Sequence, residues 1–346
     1  MPLRAARWLA LVLLIATAAA LFDRAESLRL EHGEGLSTLN AALRCVGQAD
    51  APLAPHLSAL PVLVQLPAMH VRHAGSVSTP YVLAHMSSLL ITVLGVLCCV
   101  RLARASALPT AAWLAGVLLL WNRVVLHHAP FALPVGPALV AVPLALLAVR
   151  RAHYDQRLRM LLLAGVALGV AGAADHHALA LIPAAALFWV MPNLRLFRVG
   201  KDTVKALPPV LITAGIAWAA IYAALGWAAG LPVLEALNSG FSALEASGEI
   251  TLLEDPSTIA FYPSVLALSG GWAGALLACG GAALAVRQRG LLQVLVLVWV
   301  GVALLTLSVD TPREARHLAP LLVGTTYLQA LALDRLLRMA THAHSA

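Results

Sequence analysis

A short acidic segment, Glu31-His32-Gly33-Glu34, follows the first apolar run of the chain. Carboxylates held beside a membrane surface can take a proton from an incoming hydroxyl group or bind a metal ion. Glu34 and Glu31 are therefore candidate catalytic residues. Taken alone, the segment is more typical of a solvated acidic loop.

Histidines form a second set of candidate groups. His70 and His73 are one helical turn apart and could share a ligand if their segment is helical. Neutral imidazole binds divalent metal ions, and protonated imidazole pairs with phosphate. The pattern indicates a metal or pyrophosphate site, although imidazole also suits a membrane interface without any ligand. The histidines expected on or near the same side as the acidic segment include His32, His56, His70, His73, His85, His127, His128, His176, His177 and His317.

The composition excludes a soluble globular protein. Of the 346 residues, 61% are hydrophobic and 11% are charged, so there is too little polar surface to cover a globule. The pI near 9.7 does not indicate a nucleic-acid partner, because the basic residues are scattered through short loops. The four cysteines have neither metal nor redox spacing. The sequence also lacks the phosphate-loop and zinc-protease motifs.

Apolar runs separated by polar loops predict an all-α polytopic membrane protein of about ten transmembrane helices. The first run is interpreted as a retained anchor rather than as a cleaved signal peptide. The runs lie near residues 5–22, 82–101, 107–123, 130–149, 160–175, 177–192, 208–227, 262–286, 291–308 and 318–335.

Charge sorting orients these helices. With the runs taken as spans, 16 of the 23 Lys and Arg residues lie on one side, together with only 3 of the 16 acids. The other side holds 10 of the 13 histidines. Short Lys/Arg-rich loops resist translocation, which predicts that the basic side and both termini are cytoplasmic. We expect an active face that points outward, and a location in a bacterial inner membrane.

Two long segments on the outer side carry most of the remaining polar residues. Residues 23–80 include a Pro-punctuated apolar stretch, Leu57 to Met69, which is too short to span and is expected to lie along the interface. In residues 228–261, apolar side chains from Leu234 to Leu244 recur at helical spacing and predict an interfacial helix. Residues 1–346 are expected to form a single transmembrane domain, with 23–80 as its catalytic loop and no separate soluble domain.

Three short places, in this order, resemble the GT-C fold glycosyltransferases, which are polytopic enzymes of the protein O-mannosyltransferase and lipid A aminoarabinose transferase kind. The first is the outer segment with His32 to Leu36, Asn40 to Arg44 and Pro52-Leu53. The second, Leu162 to Pro183, is similar to the family's Gly-rich helix, charged break and Leu-rich helix ending in Pro. The third, Arg316 to Leu322, is similar to its late Arg-Tyr-Leu-Leu-Pro signature.

The resemblance implies a transferase that moves a sugar from a polyprenyl phosphate to a lipid-linked or cell-envelope acceptor at the outer surface. It implies that Glu34, with Glu31 as second choice, acts as base or metal ligand. Arg316 matches the late arginine near the lipid phosphate, where a guanidinium forks onto the oxygens of a departing phosphate. The residues expected to bind substrate are Arg316, His317, His176, His177, His127 and His128, and those considered for a metal are Glu34, His70 and His73.

The sequence departs from the family pattern in several respects. Gly33 stands beside Glu34 where the family often has paired acids, and Asp175-His176-His177 stands at a break where Lys is common. Two alternatives stay open. One is a transporter or metal-handling protein, which the histidines suggest and the apolar span centres oppose. The other is a non-catalytic relative that serves as a membrane partner subunit. A divalent metal cofactor also stays open.

Overall fold

The computed structural model describes residues 2–27, 33–47, 53, 57–70, 79–190, 205–246, 257–308 and 314–343. Within these ranges the protein is all-α and contains no strand. The α-helices, in chain order, are α1 Pro2–Ser27, α2 Gly33–Cys45, α3 Ala59–His70, α4 Thr79–Ala103, α5 Pro109–Leu120, α6 Arg123–His128, α7 Val135–Asp155, α8 Leu158–Ala174, α9 Leu181–Val190, α10 Leu207–Ala228, α11 Val233–Ala246, α12 Ser257–Gln288, α13 Leu291–Ser308 and α14 Ala319–Ala343. Two 3-10 helices are η1 His176–Ala180 and η2 Ala315–Leu318.

Each predicted apolar run coincides with a helix of this bundle. In the described part of the chain, 6 helices are long and apolar enough to cross a membrane: α1, α4, α7, α10, α12 and α13. Helices α5 and α8, and α9 together with η1, are also apolar but shorter. Helix α14 is long but carries Asp334, Arg335 and Arg338 in its second half. The prediction of an all-α polytopic membrane protein is confirmed.

One predicted span, residues 107–123, ends earlier than expected. Helix α5 begins with Pro109 in its first turn and stops at Leu120. Asn122 then has an extended backbone, and its side chain accepts a hydrogen bond of 3.0 Å from the Val124 amide. Asn is a strong N-cap residue. It therefore starts a new short helix, α6, which carries His127 and His128.

Glycines set the position of α8 in the bundle. A side chain at Gly165 or Gly169 would collide with the carbonyl oxygens of Val210 and Ala214 in α10. Small residues let two membrane helices approach this closely without loss of backbone hydrogen bonds. The close contact with α10 fixes the end of α8, where Asp175 follows.

The bundle has two chemically different ends. The turns that join α4 to α5, α7 to α8 and α12 to α13 carry arginines, and we call this side the arginine end. Asp175 lies at the opposite end of α8, which has 17 residues. At a rise of ~1.5 Å per residue, that places it about 25 Å away. We call that side, where Asp175 precedes His176 and His177, the histidine end.

Helices α2 and α3 cover part of the histidine end. Helices α2 and α3 pack on each other, and α3 packs on α4, α8 and α10. Tyr222 of α10 donates a hydrogen bond of 3.1 Å to the carbonyl oxygen of Leu57, just before α3. Met69 near the end of α3 is buried. The segment predicted to lie along the interface therefore includes a short helix, Ala59–His70, that is held against the ends of the spanning helices.

Helix α11 has the surface expected of an interfacial helix. Leu234 is 74% exposed and Phe241 is 50% exposed, while Ala236 is fully buried against the bundle. Apolar side chains presented outward at the end of a membrane bundle can insert at the boundary between headgroups and acyl chains. The segment predicted to form an interfacial helix, residues 228–261, thus contains the helix Val233–Ala246, and its position at the interface stays a prediction.

Candidate functional site

The two 3-10 helices bring distant histidines together. The ring of His317 in η2 stacks on the ring of His177 in η1, with centroids 4.1 Å apart and planes at 30°. His176 completes the group, because its ring centroid lies 3.9 Å from that of His177 and 6.2 Å from that of His317. The residues predicted to bind substrate at the charged break and at the late signature therefore form one cluster. We call it the histidine cluster.

Asp175 holds this cluster at the end of α8. Its Oδ1 accepts a hydrogen bond of 2.9 Å from the backbone amide of His177. The same oxygen lies 3.0 Å from Nδ1 of the His177 ring. The backbone of Asp175 is extended, as an N-cap residue requires. With Nδ1–H donating to this carboxylate, Nε2 of a neutral His177 is the acceptor that faces any ligand.

Burial governs the protonation of the cluster. Burial alone would raise the pKa of Asp175, but the hydrogen bond from His177 and the neighbouring histidines outweigh it and lower the pKa to about 2. Burial, followed by the charge of His177, lowers the pKa of His317 to about 2. At neutral pH the cluster therefore contains an ionised carboxylate and a neutral His317 imidazole, a combination that favours cation binding.

This lowered pKa of His317 predicts a pH-dependent stability. Below the ordinary pKa of 6.5 the unfolded chain takes up a proton on this imidazole that the folded protein does not. Folding stability should then fall by up to about 1.4 kcal/mol per pH unit. The melting temperature is measured in detergent, with chelator present, at about pH 7.5 and about pH 5.5. We expect it to drop less between these two pH values in His317→Gln than in the parent.

The matched control for that experiment is His342→Gln, because His342 is exposed on α14 at the arginine end. That variant should retain the pH dependence of the parent. Equal pH dependence in His317→Gln and the parent would contradict the assignment of a neutral, buried His317.

Tyr262 is a site residue that sequence reasoning missed. A Tyr-Pro step at the start of an apolar run, such as Tyr262-Pro263, is typical of an aromatic residue at the membrane interface. In the structure Tyr262 is fully buried, and its hydroxyl oxygen lies 3.4 Å from Nδ1 of His317. Tyr262 instead faces inward, because it lies where α12 packs against η2. Spacing alone carried no signal for this contact.

Arg316 lies beside the histidine cluster, and its charged side chain is mostly buried. Its Nε is 2.9 Å from Oε2 of Glu314, and the side chains are 11% and 38% exposed. The Nε–H bond does not point along this line, so the contact is an ion pair rather than a well-aligned hydrogen bond. The partly exposed carboxylate of Glu314 thus holds the guanidinium of Arg316 next to His317.

The second histidine pair lies close to the same segment. His127 and His128 of α6 have ring centroids 4.8 Å apart, and α6 contacts η2. A cavity of ≈ 300 Å³ is lined by Arg123 and this pair, by Ala315 of η2 and by residues of α12 such as Ser269. Arg123 and the histidine pair therefore share one cavity with the residue that precedes Arg316.

A second, mostly apolar cavity of ≈ 200 Å³ lies between α12, α13 and α14. Its lining includes Asn122, Leu304 and Thr325. Asn122 donates a hydrogen bond of 3.2 Å to the hydroxyl of Ser269, which lines the first cavity. Between the two cavities, α12 is kinked at Gly271, whose φ of 69° is a conformation that glycine adopts without strain. The cavity lined by Arg123 and the histidine pair is thus linked to the second cavity through one side-chain hydrogen bond.

The structure does not describe all of the predicted site. Glu31 and His73 lie outside the described residues, and only the backbone of Glu34 is described, in the first turn of α2. His70 is exposed at the end of α3. The catalytic role of the acids and a metal site with His70 therefore stay predictions, whereas His176, His177 and His317 lie together.

The histidine end also has a donor set suited to a divalent metal. One ligand atom from each of Asp175, His176 and His177 lies within 4.8 Å of the others. Two imidazoles and a carboxylate are a common set for zinc, and the same carboxylate can instead orient a ligating histidine through its Nδ1–H. These residues fit a metal ion better than His70, which lies at the exposed end of α3.

The bundle has the fold of the GT-C membrane glycosyltransferases. In particular, the chain is similar to ArnT from Cupriavidus metallidurans bound to undecaprenyl phosphate, with 15% identity, a TM-score of 0.64, and coverage of 94% of this chain and 60% of that one. It is also similar to the archaeal oligosaccharyltransferase AglB from Archaeoglobus fulgidus in complex with an inhibitory peptide and a dolichol-phosphate. There the identity is 14%, the TM-score 0.60, and the coverage 98% and 52%.

The chain therefore spans a little over half the length of these two solved structures. No family model and no curated protein matches the sequence. Three short places in the sequence resemble the GT-C fold glycosyltransferases, and structural similarity confirms the resemblance in fold.

Proposed function

We propose that the protein is a membrane glycosyltransferase that moves a sugar from a polyprenyl phosphate to a lipid-linked or cell-envelope acceptor on the outer face of the membrane. The observation that carries this proposal is the meeting of Arg316 and His317 with His176 and His177 at one end of the bundle. The two similar solved structures hold undecaprenyl phosphate and a dolichol-phosphate. The guanidinium of Arg316 beside this cluster, in the same fold, supports a donor of this chemistry.

In the proposed reaction, an acceptor hydroxyl oxygen attacks the anomeric carbon of the sugar. The bond between that carbon and the phosphate oxygen breaks, and the lipid phosphate leaves with the electron pair. The proton of the hydroxyl goes to a carboxylate, for which Glu34 is the first candidate and Glu31 the second. Such a base typically contributes a factor of roughly 100 to 10,000 in rate.

Cationic groups at the histidine end fit the leaving phosphate. Its negative charge grows as the glycosidic bond breaks, and donors fixed in advance stabilise that charge most strongly. Arg123 provides a guanidinium group in the cavity that Ala315 also lines, and Arg316 follows Ala315 in the chain. His127 and His128 add donors in the cavity that Arg123 lines. These residues would orient the phosphate while the sugar points toward the acid of the first outer segment.

The chain also offers a place for the hydrocarbon part of such a donor. The second cavity is mainly apolar, and α12, which lines both cavities, is only 17% buried along its most apolar stretch. A helix that is open to lipid lets an isoprenoid chain enter from the bilayer instead of from water. The cavity lined by Arg123 and the histidine pair would then receive the phosphate, and the second cavity the first isoprene units.

A divalent metal, where bound, would be held by Asp175, His176 and His177 and would supply positive charge toward phosphate oxygens. We expect one zinc ion per protein in calorimetric titration, with binding lost in the double variant His176→Asn/His177→Asn. The double variant His127→Asn/His128→Asn should still bind one ion, because those residues do not share the Asp175 donor set. Loss of zinc in both double variants would favour the metal-handling alternative.

The proposed function is tested by transfer assays in lipid nanodiscs. The donors are polyprenyl-phosphate sugars that carry a radiolabel at the anomeric carbon, and the acceptors are envelope lipids. The assay measures transfer of the label from donor to product. Labelled product that depends on the protein supports the transferase. Absence of turnover with every donor, together with stable co-purification of a second membrane protein, would support the partner-subunit alternative instead.

A further inference from the structure

Four arginines surround one cavity at the arginine end of the bundle. The cavity has a volume of ≈ 480 Å³ and is lined by Arg101 and Arg104 from the end of α4 and by Arg150 and Arg151 from the end of α7. Tyr154 forms part of its wall, and the guanidinium carbon of Arg150 lies 5.9 Å from the centre of that ring. The cavity lies about 25 Å from Asp175, the length of α8, and is separate from the proposed active site.

Within the described part of the chain, the positive charge of this cavity is not balanced by ion pairs with acids. Among the described residues, no carboxylate forms an ion pair with any of these four arginines. Asp155 pairs with Arg157 at 3.0 Å, and Asp334 pairs with Arg338 at 3.0 Å. The carbonyl ends of α4 and α7 favour cations in their last turns, which explains single arginines there. Helix ends alone do not explain why four guanidinium groups share one concave space.

Both helices continue from the arginines into an exposed apolar face. Leu94 is 46% exposed, Leu97 is 38% exposed and Leu144 is 47% exposed. Helices α4 and α7 pack side by side, so their faces adjoin. On each helix, a set of four residues is spaced so that the later three lie three, seven and ten positions after the first. This spacing keeps the four residues of a set on one face of the helix. The sets are Leu94, Leu97, Arg101 and Arg104 on α4, and Leu144, Leu147, Arg151 and Tyr154 on α7.

We propose that this cavity binds the phosphate headgroup of an anionic phospholipid, whose acyl chains lie along the exposed leucines of α4 and α7. Guanidinium groups form paired hydrogen bonds with phosphate oxygens, and basic pockets at the ends of membrane helices bind acidic lipid headgroups. The leucine rows distinguish a lipid from a soluble anion, because only a lipid covers apolar surface and charged surface together. The site is independent of the proposed transferase reaction.

Native mass spectrometry and thermal unfolding in detergent test this site with defined probes. Phosphatidylglycerol should bind and raise the melting temperature, whereas phosphatidylcholine and soluble glycerol phosphate should not at equal concentration. The double variant Arg104→Gln/Arg151→Gln removes two exposed guanidinium groups that line the cavity. We expect it to weaken phosphatidylglycerol binding by at least about tenfold.

The control is Arg287→Gln/Arg335→Gln, which removes the same charge from exposed positions on α12 and α14. It should retain the affinity of the parent for phosphatidylglycerol. Equal losses in both double variants would mean unspecific attraction and would overturn the proposal. Equal protection by glycerol phosphate and by the lipid would also overturn it, since the site would then take a soluble anion. Arg104→Gln alone serves if the double variant does not fold.

Discussion

The variant Glu34→Gln is expected to lose transfer activity by roughly 100- to 10,000-fold while it folds normally. Gln keeps the size and the hydrogen-bonding shape of Glu but cannot accept a proton from the acceptor hydroxyl at neutral pH. The loss should appear in kcat, because the substrates still bind. Initial rates of label transfer in nanodiscs measure it, and unchanged melting temperature and elution volume show that the variant is folded.

Two further variants assign the effect to one acid. Glu235→Gln changes an exposed glutamate in the first turn of α11 and should leave activity unchanged. Glu31→Gln should reduce the rate less than Glu34→Gln does. Full activity in Glu34→Gln refutes the assignment of this residue, and a larger loss in Glu31→Gln moves the base to the other acid of the segment.

The variant Arg316→Gln is expected to lower kcat/KM by about 100- to 1,000-fold. The side chain of Arg316 is 11% exposed and lies beside His317, so water cannot readily replace its charge. Removal of the guanidinium would leave part of the charge on the departing phosphate without a donor. Affinity for a polyprenyl phosphate without sugar, measured by displacement of a labelled lipid, should fall in the same variant.

A structural role for Arg316 is distinguished by its ion-pair partner. Glu314→Gln removes the carboxylate that lies 2.9 Å from Nε but leaves the guanidinium in place. If phosphate binding is the role of Arg316, Glu314→Gln should keep most of the activity. Losses of equal size in Glu314→Gln and Arg316→Gln would instead identify the ion pair as the requirement.

Hydropathy and charge predicted most of the helical framework. A membrane-spanning helix must bury its backbone polar groups and present apolar side chains to lipid, so its sequence carries the signal without help from tertiary contacts. The short helix α6 was not predicted, because its 6 residues follow the end of an apolar run and are too few to show a helical period. Asn122 acts as a cap only because the chain turns there to place His127 and His128 at the bundle end.

The candidate site was predictable in part. The order of short motifs placed Arg316 and His317 in one group with His176 and His177, and the ring stacking of His177 on His317 agrees. The contribution of Tyr262 was not predictable, because it depends on how α12 enters the bundle over η2. The position of Glu34 relative to this cluster depends on side-chain geometry outside the described part of the chain, so its role stays a prediction.

The hydrogen bond from Asn122 to Ser269 has a consequence for how an amphiphile can occupy the protein. One residue of this pair lines the cavity with Arg123 and the histidine pair, and the other lines the apolar cavity. The two cavities are thus connected through an amide–hydroxyl contact, which a rotamer change at either residue would break. An amphiphile whose charged end lies beside Arg123 and the histidine pair would place its apolar end in the second cavity, so the same contact would also favour one direction of entry.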